Sequence, residues 1–274
     1  MKKKVSKIDY SKAMLPRTRK AQLGDVFKMN YVILLKCGLM LLVFFTPLVG
    51  FSFFMDFYYV SLLSHATEEV EQTILIYKYI LNGGLILTSF IALLGLSGVI
   101  HVLRNLIWGE GIFFKEDFAD GIKQNSGKNI AFAAIFSVFY AGAYVVYSLF
   151  PTMIVSWFGL FLFALVFLPI YFWIMFLNNT YDSKFGAILK NGLFFYVRTI
   201  GWSIVGILMP LFLLSLYFVP FYLVWLKYLL LVLFIVFLFP IIVLIMNLYT
   251  TSRFDVYINK ENYPDYYLRG LNHD

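Results

Sequence analysis

The stretch RNLIWGEGIFFKEDFADGIKQNSGK, Arg104 to Lys128, is the longest charged segment lying between two long apolar runs. After Gly109-Glu110-Gly111, Phe114, Phe118 and Ile122 recur every four residues, while Lys115, Glu116, Asp117, Asp120, Lys123 and Gln124 take the opposite side. That spacing predicts an amphipathic helix lying along a membrane surface or docked beneath a helix bundle. Asn125-Ser126-Gly127 supplies a helix stop. The acids and lysines of this helix read as a solvated, partner-facing surface.

The flanking sequence says why a membrane is invoked. The chain of 274 residues is 61% hydrophobic, 20% aromatic and only 14% charged. Soluble domains are about half apolar and a quarter charged. A spanning helix needs about 20 apolar residues, because the hydrocarbon core is roughly 30 Å thick and each residue rises about 1.5 Å. Six such segments can be read, over 31–51, 79–103, 129–150, 153–177, 200–218 and 228–249. The expected fold class is an all-α membrane protein with two short amphipathic cytosolic helices. Residues 1–30 form a basic leader, 31–250 a six-span domain and 251–274 a polar, tyrosine-rich tail. Residues 52–78, with Asp56, His65, Glu68, Glu69 and Glu71, read as an outer loop.

Lysine and arginine placement sets the orientation. With the N-terminus inside, one side collects the leader, Arg104, Lys115, Lys123, Lys128, Lys184, Lys190, Arg198, Arg253, Lys260 and Arg269; the other holds Lys78 and Lys227. Both termini are therefore expected in the cytosol, with the chain in a plasma membrane. In the leader, Leu23, Val26, Phe27 and Tyr31 share a face, which allows an interfacial helix or a disordered basic segment. The net charge of +7 is concentrated there and in the cytosolic connections, so it is no nucleic-acid signature.

Lipid tails are as apolar as leucine, so helices in a bilayer associate through close packing of small residues. Ala133, Ser137 and Ala141 in span three, and Thr88, Ala92, Gly95 and Gly98 in span two, are expected to face one another. Span six, uniformly large and apolar, is expected to be the most lipid-exposed. Pro47, Pro169, Pro210 and Pro240 should kink or end helices. Asn82 and Asn247 are expected to hydrogen-bond between helices.

A second connection repeats the opening pattern. Tyr181, Phe185, Ile188 and Leu189 make an apolar stripe that Lys190-Asn191-Gly192 should end. Phe118, Ile122, Lys123 and Asn125 then correspond to Phe185, Leu189, Lys190 and Asn191, as an internal repeat would. Partner-binding candidates are accordingly Phe114, Lys115, Asp117, Phe118, Asp120, Ile122, Lys123, Asn125, Phe185, Leu189, Lys190 and Asn191.

The run from Gly98 to Asn125 resembles the signature of the YesL-like family of bacterial integral membrane proteins (domain of unknown function 624). The matching features are Gly98, Arg104, Gly109-Glu110, Asp117-Phe118 and Lys123-Gln124-Asn125, with Asn178-Asn179-Thr180 and Leu189-Lys190-Asn191 similar to a second segment. The chain departs from that pattern in its long basic leader, its acidic outer loop, and Val99 where a proline is usual. The family has no established activity. The resemblance implies a bacterial membrane protein whose genes neighbour carbohydrate-uptake and carbohydrate-breakdown systems.

Motifs for chemistry are thin. No His-Glu-x-x-His pair, Gly-x-Ser-x-Gly turn or phosphate loop is present, and the middle of each expected span lacks Asp, Glu, Lys and Arg. His101 reads as an interfacial packing residue, and His65 with Glu68 and Glu69 as part of a solvated loop. Cys37 is alone, which excludes an internal disulfide. No cofactor or metal is expected. The leading expectation is a non-enzymatic accessory protein binding the lipid bilayer and a membrane transport complex or cytosolic protein. A homo-oligomeric transporter or channel for a neutral solute is the alternative. An enzyme would require His101, Arg104, Asp117 and Asp120 to converge in a cleft.

Overall fold

Two helices far longer than a bilayer is thick form the spine of the computed structural model, which describes residues 15–64, 70–149, 154–200, 212, 215, 216 and 223–272. After a short α1 (Arg19–Met29) come α2 (Tyr31–Ser64) and α3 (Val70–Ile107), packed along each other. Then follow α4 (Phe114–Lys123), α5 (Ser126–Leu149), α6 (Ile154–Leu162), α7 (Leu168–Thr180), α8 (Phe185–Arg198), α9 (Val224–Leu233) and α10 (Phe239–Phe254). Every regular element among the described residues is helical. Among the described residues, five helical stretches are long and apolar enough to cross a membrane: Tyr31–Tyr58, Ile76–Ile107, Ser126–Tyr147, Trp157–Thr180 and Val224–Asn262. Most of the span expected over 200–218 lies outside the described residues.

The loop expected over 52–78 is largely helix, carried by α2 through Ser64 and by α3 from Val70. Tertiary partners explain the extension. Phe53 packs on Trp225 and Tyr228, with ring centroids 4.7 and 5.2 Å apart, and Tyr58 meets Tyr77 at 6.2 Å. Met55, Tyr77, Leu81 and Leu85 form a small buried cluster. His65, Glu68 and Glu69 lie outside the described residues.

The prolines act through the carbonyls they leave without a donor. Pro169 follows a π-turn at Phe163–Phe167 that joins α6 to α7, and has no N–H for the Leu165 carbonyl. The Tyr196 hydroxyl donates to that oxygen at 3.0 Å. Pro240 follows the π-turn Phe234–Leu238 between α9 and α10. Here the Val236 carbonyl presses against Gly38 of α2, where an added Cβ would lie 2.8 Å from the carbonyl carbon. Only glycine permits that approach.

Small residues work partly as expected. α3 and α5 pack together, with Ala133, Ser137, Ala141 and Ala92 buried. Gly95 instead meets Phe44 of α2, and Gly98 meets Phe118 of α4. The expectation for the last span is overturned. In Val224–Asn262, 44% of the most apolar window is buried, against 22% in Tyr31–Tyr58. Val243, Leu244 and Asn247 face the core, and Asn247 donates to the Ile100 carbonyl of α3 at 3.1 Å. Asn82 bonds within its own helix, to the Lys78 carbonyl. Helical structure also crosses residue 250, running on through a π-turn at Asp255–Asn259 to Asn262.

Candidate functional site

At one end of the bundle a layer of polar side chains is buried. Ser97, His101, Arg104 and Asn105 stand on successive turns of α3, all at most 8% exposed. A buried guanidinium must have its donors engaged. Arg104 donates from Nη1 to the Asn179 carbonyl and from Nη2 to Asn105 Oδ1 at 3.0 Å, and stacks over Trp108 at 4.7 Å. His101 Nε2 lies 3.3 Å from Arg104 Nη2, so that nitrogen is the acceptor and the ring proton sits on Nδ1.

Asn105 relays the layer to α4, donating to Asp117 Oδ1 at 3.2 Å. The other Asp117 oxygen accepts the Phe113 N–H at 2.8 Å, which caps the first turn of α4. From α5, Asn129 donates to the Gln124 carbonyl at 3.0 Å and accepts from Asn178 Nδ2 at 2.5 Å. Asn125, at φ 55°, donates to the Asn178 carbonyl at 3.0 Å. Four chain segments are thus tied at one level.

The described parts of the leader and the tail close this end from outside. Thr18 caps α1, accepting from the Ala21 N–H. Arg19 pairs with Asp255 at 2.9 Å and donates to the Arg269 carbonyl. Burial pulls the Arg19 guanidinium below its ordinary pKa, and Asp255 opposes that shift. Asp255 also accepts from Asn259 and from the Leu268 N–H. Arg269 meets Glu110 at 2.8 Å and lies over Trp108 at 4.7 Å. Gly270, at φ 80°, rests on the end of α3; a Cβ there would collide with the Ile107 carbonyl. The Asn272 N–H reaches the Pro16 carbonyl at 3.0 Å, so both ends of the described chain meet here.

The partner-binding candidates divide sharply. On α4, Lys115, Asp120 and Lys123 are exposed, with Glu116 and Gln124 beside them. Asp117 and Phe118 are buried at 2% and 5%, which corrects their reading as partner-facing residues. Phe118 fills the notch at Gly98 and meets Phe44 at 5.4 Å. Phe114 and Ile122 are half-buried against the same core.

The second candidate helix does not end at Gly192 as expected. α8 runs on to Arg198, because Gly192 lies against α7, where an added Cβ would be 2.7 Å from Ile174 Cγ1. Its inner face is Ile188, Gly192, Phe195 and Tyr196. Phe185 stacks on Phe132 at 4.4 Å yet stays part-exposed, as does Leu189; Lys190 and Asn191 are exposed. Tyr181, placed in the stripe by its spacing, is instead the cap of α7, its hydroxyl donating to Asn259 at 2.6 Å. Asn125 ends α4 whereas Asn191 lies inside α8, so the two patterns are not equivalent in structure.

Further along the bundle lies a cavity of about 220 Å³ between α2, α3, α5, the α6–α7 pair and the last long helix. Leu85, Ala92, Phe136, Ala164 and Phe239 are representative of its wall. Its polar end is Asp56, which accepts from Lys227 Nζ at 2.6 Å and from the Tyr228 hydroxyl at 2.9 Å. This trio was not anticipated, since Asp56 and Lys227 are 171 positions apart. The polar layer was more legible: Ser97, His101, Arg104 and Asn105 share one face of an otherwise apolar helix.

Of the four groups an enzyme reading requires, His101, Arg104 and Asp117 do converge, but beneath α4 and Trp108, while Asp120 is exposed. Both Asp117 oxygens are engaged in holding the fold. Among the described residues, no group of three His, Cys, Asp or Glu could hold a metal ion. Fold and site together define an all-helical, multi-pass membrane protein. No protein-family model matches the chain. Neither curated proteins nor solved structures gave a match.

Proposed function

We propose that this is a non-enzymatic accessory membrane protein, with both ends in the cytosol, that docks a membrane or cytosolic partner through the outer face of α4. One observation carries the reading. The bundle consumes the apolar side of α4, and the helix therefore holds Lys115, Glu116, Asp120, Lys123 and Gln124 outward on a rigid mount. A fixed charged face loses little conformational freedom on binding and selects partners by charge complementarity.

The six-span topology is part of this proposal. Its support is the hydrogen bond from the Asn272 N–H to the Pro16 carbonyl, which brings both ends of the described chain to one end of the bundle, as an even number of crossings would. Arg19 of the leader and Arg269 lie at that same end, which favours the cytosolic side. Membership of the YesL-like family also belongs here. Its support is that Gly98, Arg104, Asp117-Phe118, Asn125 and Asn178-Asn179 all meet in the same junction. Service to a carbohydrate importer follows from that resemblance. Direct sugar passage has less support, because hydroxyls entering a largely apolar wall would lose hydrogen bonds to water.

The test is capture from native membranes with wild type and with the double reversal Asp120→Lys, Lys123→Glu. Both residues are exposed, so the fold should survive. Loss of a partner that wild type retains, at unchanged thermal stability, supports the proposal. Identical recovery from both forms, or recovery of the protein alone from both, refutes it.

A further inference from the structure

We propose that the cavity between α2, α3, α5, the α6–α7 pair and the last long helix is a binding site for one long acyl chain. Its polar end would sit at Asp56, Lys227 and Tyr228. The shape of the cavity limits its occupant. Leu81, Leu85, Ser89, Ala92 and Leu96 all line it from α3, and the fifteen helical steps from Leu81 to Leu96 span ~22 Å. A space of about 220 Å³ drawn out over that length accepts a linear chain better than a compact or fused-ring molecule.

The wall decides what enters. Apolar cavities of about 150 Å³ stay dry and take up apolar molecules, because water inside them lacks hydrogen-bond partners. In a bilayer the abundant apolar molecule is the lipid tail itself. The charged groups lie at one end, where Lys227 meets Asp56 at 2.6 Å and Ser52 lies one turn away on α2, while the Ser89 and Tyr171 hydroxyls further along the wall donate to the Leu85 and Leu93 carbonyls. The Lys227 and Asp56 side chains are 21% and 14% exposed, so this end reaches the surface. The ion pair is neutral overall and offers both a donor and an acceptor to an ester or zwitterionic head.

Burial supplies the means of testing. Leu85, Ser89 and Ala92 are at most 5% exposed, whereas Leu87 and Ile91 on the other side of the same helix are 67% and 39% exposed. A chain in the cavity and a chain on the outside of the bundle therefore touch different residues of α3. The protein is reconstituted in vesicles containing phosphatidylcholine with a mid-chain diazirine, and in parallel with diazirine-bearing palmitic acid. Photolabelled residues are then mapped by mass spectrometry.

Label on Leu85, Ser89 or Ala92 is expected with at least one probe, and which probe succeeds tells a bilayer lipid from a free acid. Filling the cavity with Ala164→Phe, or separately with Ser89→Leu, should reduce that label at least tenfold. Label on Leu87 and Ile91 should persist, which shows that the bundle is intact. Label confined to Leu87 and Ile91 in wild type with both probes overturns the proposal. So does interior label that survives the filling of the cavity.

Discussion

Replacing Phe118 by alanine should release α4 from the bundle while leaving the bundle folded. α4 has ten residues, too few for a stable helix in water, so its order depends on docking. Phe118 is 5% exposed, packed on Gly98 and 5.4 Å from Phe44. Truncating a buried phenylalanine costs about 3–5 kcal/mol. The charged outer face of α4 makes water the medium to which the stripe would open. Since 1.4 kcal/mol is a factor of ten, amide exchange through opening of α4 should accelerate by roughly a hundredfold to a few thousandfold. Hydrogen exchange with mass spectrometry in nanodiscs reads this directly. The amides of α10, which is packed through Val243 and Leu244, should keep wild-type protection. Lys115→Ala, at an exposed position, should change nothing. Exchange in α4 within threefold of wild type would refute the view that Phe118 anchors it.

Gly38→Ala should destabilise the protein by about 1–3 kcal/mol, because the new methyl meets backbone at Val236 rather than a side chain that can turn away. Gly83→Ala, with nothing within 4 Å, should be neutral or slightly stabilising, and thermal midpoints in detergent compare the two. At Tyr181, burial, with the nearby Asp255 carboxylate adding to it, raises the phenol above its ordinary value of about 10. The folded pKa exceeds the unfolded one, so this contribution is complete below about pH 10 and is lost as pH rises through the folded value. Tyr181→Phe should therefore be about 1 kcal/mol less stable than wild type at pH 8, through loss of the Asn259 bond. The gap should narrow at pH 11; a gap that stays constant between the two would contradict the assignment.

The α4 stripe was legible, since Phe114, Phe118 and Ile122 repeat every four residues and all three turn inward. Asp117 was misread because its place on the polar side of α4 does not reveal Asn105 and the Phe113 N–H waiting for it. Gly192 was misread for a similar reason. A glycine after Lys-Asn has the chemistry of a helix stop, but here the missing side chain admits α7. The last span was taken for a lipid-facing helix because uniform apolarity carries no periodicity from which to choose a face.

By itself, then, the chain determined its class. Apolar runs of bilayer length, helical spacing in the polar stretches and the crowding of lysine and arginine are local properties, set by residues near one another along the backbone. Tertiary structure decided everything that depends on distant partners. The union of Arg19 with Asp255 and Arg269, the Trp108 ring between Arg104 and the tail's Arg269, and the Asp56–Lys227–Tyr228 trio at the cavity are of this kind. Such contacts depend on how the helices are arranged around one another. Glycines, freed carbonyls and ring shapes set that arrangement jointly, and hydropathy does not record it.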